Sequence, residues 1–255
     1  MAGFLVFTLA APLMAFGDVA PGERRVGVDR PTRSGLTGLI AAALGLTRND
    51  ERQSALAAQL AFAVRVDAAG RANVDYHTTQ TAPARRNRRF ATRREELAVD
   101  GVVTILSQRT YVEDAAFTVA VLVEENGPFL IHEIAAALAH PRLPIHAGRR
   151  SCPLGLPPSA LVIGAPSLVD AFAAYDAEQA SSVDRAALRR CFGGDAAAAP
   201  LCAVDPRFEA RGLLAGFSAH HRETRRDDPL SRTRWQFSQR EQIVGRLIAL
   251  PRPSP

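Results

Sequence analysis

The chain has 255 residues, 47% of them hydrophobic, enough to build one packed domain or two closely associated halves. Its 31 basic residues are all arginines, set against 26 acidic ones for a net charge of +5, so the placement of charge matters more than its total. Three cysteines, Cys152, Cys191 and Cys202, make neither an even set nor a CxxC pair, which argues against a disulfide framework and a structural zinc site.

The first apolar run, FLVFTLAAPLMAF, follows no basic residue and contains a proline, unlike a secretion signal. It is also shorter than the ~20 residues a membrane span requires. It reads as a first strand, Phe4 to Ala10, buried on both faces, followed by a long loop to Arg30 that holds Arg24 and Arg25. PTRSGLTGLIAAALGL comes next, with Leu36, Leu39, Ile40, Ala43 and Leu44 at helical spacing and Gly35, Gly38, Ala42 and Gly45 keeping another side small. Thr32 or Ser34 can cap this helix. Its free amides at Arg33, Ser34 and Gly35 suit a phosphate as well as a plain cap. A second helix, ERQSALAAQL, runs into a strand where Phe62, Val64 and Val66 alternate.

From Asp75 to Tyr111 the chain leaves the core pattern, and Arg85, Arg86, Arg88, Arg89, Arg93 and Arg94 crowd one stretch before strand-like VVTIL. This is the composition of a long hairpin or arm. Its arginines around Phe90 suit either a solvated loop or a nucleic-acid backbone with a stacking surface. AAFTVAVLVE then reads as a buried strand, and PFLIHEIAAALAH as a helix ended by Pro141. Strand, helix, strand, excursion, strand, helix is the order of a ferredoxin-like sheet with helices on one face.

LPIHAGRRSCPL predicts a strand that ends in a turn. Arg149 and Arg150 would face opposite sides if extended, one lining a groove or both lying on the surface, and His146 would stack or face solvent. Beyond Gly155 the signal weakens: FGGDAAAAPL reads as loop and RWQFSQREQIVGRLIAL as a final hairpin. The sequence holds no GxSxG, HExxH or Walker loop, and neither metal nor cofactor is implied. Tyr76 and His77 could form a metal-free acid/base pair. His132 and His140 lie two helical turns apart, too far to share a metal without a third group, and His220 and His221 fall in a charged, solvent-facing segment.

PTRSGLTGLIAAALGL, DYHT, QRTYVEDAAF and GRRSCPL stand in one order, between LAAPLMAFG near the start and RWQFSQRE near the end. In that combination the chain resembles the CasD family of type I-E CRISPR Cascade subunits, within the RAMP superfamily of RNA-binding proteins. The resemblance implies an α+β fold, with a ferredoxin-like (RRM-like) palm from residues 1–77 and 112–255, a less regular C-terminal half and an inserted β-hairpin thumb at 78–111. It also implies a non-catalytic, cytoplasmic subunit of antiviral defence that grips the 5′ handle of the guide CRISPR RNA and caps a backbone of CasC subunits. CasA would be a further neighbour, target DNA would be reached only through the complex, and no membrane would be involved. On this resemblance Arg33, Ser34, Gly35, His146, Arg149, Arg150 and Ser151 would face the handle. Arg85, Arg86, Arg88, Arg89, Gln108 and Arg109 would bring the thumb to it. The alternative implied by relatives in another CRISPR subtype is an endoribonuclease that processes precursor guide RNA with Tyr76 and His77.

Overall fold

The computed structural model describes residues 1–17, 22–83, 89–192, 199–231, 234 and 236–248. Strand β1 (Ala2–Met14) is buried on both faces, with Leu5, Phe7 and Leu9 in one hydrophobic cluster and Phe4 and Val6 in another. A short β2 (Arg24–Arg25) interrupts what the sequence predicts as continuous loop. Helix α1 (Arg33–Ala43) starts at Thr32, whose hydroxyl accepts a hydrogen bond from the Gly35 amide, and buries Leu36, Leu39 and Ile40. Gly45, at φ +81°, turns the chain out of it. Then come α2 (Arg52–Gln59), β3 (Leu60–Ala68), β4 (Arg71–Thr81), α3 (Arg93–Leu97) and the 21-residue β5 (Val103–Val123). The chain continues through α4 (Ile131–Ala139), β6 (Leu161–Ala165), α5 (Leu168–Gln179) and α6 (Val183–Phe192). It closes with β7 (Leu201–Val204), α7 (Pro206–Ala210), β8 (Phe217–Ser231) and β9 (Gln236–Leu247).

Among the described residues these strands form one nine-stranded sheet in the order β6-β1-β5-β3-β7-β9-β8, with β2 and β4 each paired to β5. Pairing is antiparallel except between β2 and β5. Helices α1, α2 and α4 cover one face through Leu36, Ile40, Leu56, Ile134 and Leu138. Helices α5 and α7 cover the other through Leu168, Phe172, Tyr175 and Phe208. Helices α1, α2 and α4 thus share one face, and α5 and α7, which lie beyond Gly155 where the sequence signal weakens, add a second layer. Strands that are apolar on both sides, as β1 is, must be covered twice.

The C-terminal half is also more regular than the sequence suggests, because β8 and β9 carry charged side chains in place of an apolar alternation. The 143–154 segment is no strand: only a His146↔Pro153 bridge and a turn at Gly148, φ +92°, form there.

Strand β5 has two lives. From Ala115 to Val123 it pairs with β1 and β3 inside the core; from Val103 to Glu113 it pairs with β4, with Val112 and Glu113 still paired to β1 and an exposed arm farther out. At the passage between them Gly70 (φ +68°) and Asp114 (φ +52°) both adopt left-handed backbone, a conformation that glycine takes freely and aspartate tolerates. Deep in the sheet Arg65 is fully buried, 2.7 Å from both Asp67 and Asp176, with its guanidinium 4.9 Å from the centroid of Phe172. That charge is compensated on every side, the condition under which a buried arginine is tolerated.

Candidate nucleic-acid interface

Three strands meet at the base of the arm. β2 lies parallel to β5 with Arg24↔Gln108 and Arg25↔Arg109 in register, and β4 lies on the other side with Tyr76↔Gln108 and Asp75↔Arg109. The Gln108 amide donates to the Glu23 carbonyl at 3.0 Å and locks the junction. Because side chains alternate along strands, Arg24, Gln108 and Tyr76 share one face, and Arg25, Arg109 and Asp75 share the other. Next to this base stands the turn after His146. Arg149 lies with its guanidinium 4.8 Å from the centroid of Tyr111 and donates to the carbonyls of Thr110 (3.4 Å) and Arg25 (3.3 Å). Arg150 and Ser151 on that turn are exposed, and His146 is half-buried. The turn itself is fixed by packing, since a Cβ on Gly148 would lie 2.1 Å from the carbonyl oxygen of Ala15.

Arg24, Arg25, Arg109, Arg149 and Arg150 form no ion pair among the described residues, and the shielded Nε of Arg109 has no acceptor there. Elsewhere the arginines that reach the interior are matched with carboxylates. The arm base is thus a concentration of uncompensated cations beside aromatic rings, a combination suited to a polyanion with planar bases. Of the thumb arginines, Arg89 is exposed, while Arg85, Arg86 and Arg88 lie outside the described residues.

The helix mouth differs from its sequence expectation. Arg33 turns inward: its Nε donates to Asp228 at 2.7 Å, Nη1 to Asp205 at 2.8 Å and Nη2 to the Ala57 carbonyl at 2.7 Å. The backbone amide of Arg33, the one a phosphate would take, donates to Asp227 at 2.7 Å, and Arg240 grips that same carboxylate. The helix dipole has its anion, supplied by β8. Gly35 gives room for Phe16, whose ring would sit 2.7 Å from an added Cβ, and the Ser34 hydroxyl lies 3.3 Å from that of Thr32. Burial pushes the Arg33 guanidinium below its usual pKa, helped by the like charge of Arg207. Burial would raise Asp205, but hydrogen bonds and charge from Arg207, with Arg33 behind them, outweigh it and hold the carboxyl below its ordinary value.

The structure therefore brings Gln108, Arg109, Arg149 and Arg150 to one locality, turns the Arg33 side chain inward to carboxylates and packs Gly35 on Phe16. Sequence reading passed over Arg24 and Arg25 as loop residues; their signal was the RR dipeptide between two turn segments. It also passed over Asp205, Asp227 and Asp228, which lie 172 to 195 residues from Arg33, beyond any local pattern. Tyr76 and His77 are consecutive in β4 and so face opposite sides, and His77 contacts Asp75. They do not converge on a common substrate atom. His132 and His140 are exposed at either end of α4, and no cluster of three metal-ligating side chains occurs among the described residues.

Residues 4–243 match the sequence profile of the family described as CRISPR-associated protein (Cas_Cas5). The chain belongs to this Cas5 family. It is 36% identical over 167 residues to the CRISPR system Cascade subunit CasD of Escherichia coli (strain K12), covering 62% of this chain and 70% of that protein. Among solved structures, a chain of a CRISPR RNA-guided surveillance complex superposes with a TM-score of 0.60 at 27% identity, over 98% of this chain and 95% of that one. A second, described as a Cas protein, superposes with a TM-score of 0.60 at 25% identity, over 98% of this Cas5 chain and all of its own. No helix among the described residues of this Cas5 protein is long and apolar enough to cross a membrane.

Proposed function

We propose that this Cas5 protein is a CasD-like subunit of Cascade that binds the 5′ handle of the guide RNA at the base of its arm and caps a CasC backbone, without cleaving RNA. The carrying observation is the set of arginines around β2, β5 and the 148–151 turn that have no carboxylate partner among the described residues. The strand order β6-β1-β5-β3, with α1 and α4 as crossovers, supports reading the first two thirds of the chain as a ferredoxin-like palm. The β4–β5 arm, paired from Arg71↔Glu113 to Thr81↔Val103, supports reading residues 78–111 as the thumb. Likeness to CasD supports neighbours of the CasC and CasA kind, with target DNA met only through the assembly. Tyr76 and His77 facing apart supports a binding role over a nuclease.

The test is salt-dependent binding of a labelled, repeat-derived RNA to wild type and to an Arg25→Ala/Arg109→Ala/Arg149→Ala triple variant, with the RNA recovered on a denaturing gel. Each lost phosphate contact on a single strand lowers the log–log salt slope by about 0.7, so the triple variant should lose about 2. An unchanged slope would sink the arm-base reading. RNA shortened by wild type and spared by His77→Ala would make the chain a nuclease.

A further inference from the structure

The arm is a two-stranded ribbon, and among the described residues β4 pairs with β5 alone, which leaves its other edge uncovered. The polar groups on that edge can be assigned. The Gln108 amide donates to the Glu23 carbonyl on the β2 side, so Gln108 and Tyr76, opposite each other in the ladder, do not bond to each other. The Tyr76 amide and carbonyl therefore point away from β5, and because the register is unbroken those of Val74 and Thr78 do too. The Gln80 carbonyl, next in the series, accepts from the Arg93 side chain, a donor outside the ladder. We infer that this edge pairs with the same edge of a second copy of the chain, joining two arms into one four-stranded sheet about a two-fold axis at Tyr76. Such a pairing needs no RNA and stands apart from the handle-binding reading.

The outer edges of the main sheet are blunted, and this one is not. β6 is five residues long, and β8 carries three breaks in register together with Pro229. β4 runs for eleven residues without a bulge or a proline, and from Ala72 to Gln80 it has no lysine or arginine to repel a neighbour. A lone two-stranded ribbon is only marginally stable in water, so two further strands also stabilise the arm itself.

The edge is complementary to itself. An antiparallel pairing centred on Tyr76 sets Tyr76 opposite the partner's Tyr76 and Val74 opposite the partner's Thr78, so every residue with outward polar groups joins a hydrogen-bonded pair. Val74 and Tyr76 are 61% and 58% exposed, and the pairing covers them with β-branched and aromatic side chains. On the opposite face Asp75 falls against the partner's His77, and His77 against the partner's Asp75. Each carboxylate, already in contact with His77 of its own strand, gains a second imidazole. A slip of two residues would instead set Asp75 against the partner's Asp75, or His77 against the partner's His77, so like groups oppose the alternative registers.

So short an interface falls below the size of standard stable complexes, and a dimer of micromolar affinity is expected. Sedimentation velocity of the full chain, without RNA, from about 1 to about 100 µM should show monomer passing into dimer. Thr78→Pro deletes one outward amide N–H and leaves the β4–β5 ladder whole, so it should stay monomeric at about 100 µM with an unchanged far-UV circular dichroism spectrum. Register is tested by cross-linking, with the exposed thiol of Cys191 removed by Cys191→Ser. In that background Tyr76→Cys should join its own copy on mild oxidation, because hydrogen-bonded partners stand about 5.5 Å apart between Cα atoms, within disulfide reach. Gln80→Cys should not, since the partner's Ala72 lies opposite it. A chain that stays monomeric throughout, or a dimer that persists in Thr78→Pro, overturns the proposal. Cross-linking of Gln80→Cys as readily as Tyr76→Cys does so too. Should circular dichroism show that Thr78→Pro disturbs the fold, the cysteine pair alone decides.

Discussion

Arg33→Met tests whether the mouth of α1 is a ligand site or an internal clamp. Methionine keeps much of the side chain's length and apolar stem but removes three hydrogen bonds from the guanidinium, to Asp228, Asp205 and the Ala57 carbonyl. Breaking a buried ion pair by deleting one partner costs about 3–5 kcal/mol, because the other charge stays behind uncompensated. Here Asp205 keeps Arg207, and the Asp228 side chain is 36% exposed, so both carboxylates retain partial relief. The low end, about 3 kcal/mol, is therefore expected. With an unfolding entropy of about 2.1 cal/mol/K per residue, a chain of 255 residues loses about 6 °C of Tm for that amount. Scanning calorimetry on wild type and Arg33→Met measures it directly. An unchanged Tm together with a clear loss of RNA affinity would refute the clamp and reopen the mouth to phosphate.

Two other outcomes follow from the same geometry. Gly148→Ala combines φ +92° with a Cβ 2.1 Å from the Ala15 carbonyl oxygen and should cost about 2 kcal/mol or more, read as a Tm drop of about 4 °C; equal melting would show that the turn can shift. Because Asp205 is held below its ordinary pKa, its stabilisation is complete above the unfolded value of about 3.9 and fades as pH falls through the lower folded value. The stability gap between wild type and Asp205→Asn should therefore shrink below about pH 4, and a gap that persists undiminished to the acid unfolding limit would contradict the assignment.

The parts of the fold legible in the sequence were those carried by local periodicity. Leu36, Leu39 and Ile40 announced α1, the run Phe4 to Ala10 announced a strand covered twice, and the loss of apolar pattern after Asp75 announced the arm. What stayed hidden depended on distance along the chain. Arg33 looked like a cation waiting for a phosphate because its carboxylates belong to β8 and to the start of α7. The β8–β9 hairpin was half visible, since its inner residues Ile243 and Val244 are apolar but RETRRDD reads as solvated charge until Asp227 and Asp228 are seen turned toward α1. At the candidate site, Arg149 and Arg109 were nameable from the sequence, but their meeting depends on β2, two residues long and without any periodicity to detect.

The strand that the arm shares with the sheet, β5, makes the arm a cantilever. Beyond the β2 pairing at Gln108 and Arg109, the five residues from Val103 to Ser107 reach about 17 Å, yet their main chain is continuous with the middle of the sheet, with no linker to absorb a swing. A load applied at the tip passes straight into the strand that pairs with β1 and β3. Whatever the arm grips is thus held in an orientation set during folding by the strand the arm shares with the sheet. The loss of orientational freedom that a flexible finger would suffer at each encounter has already occurred before any ligand arrives.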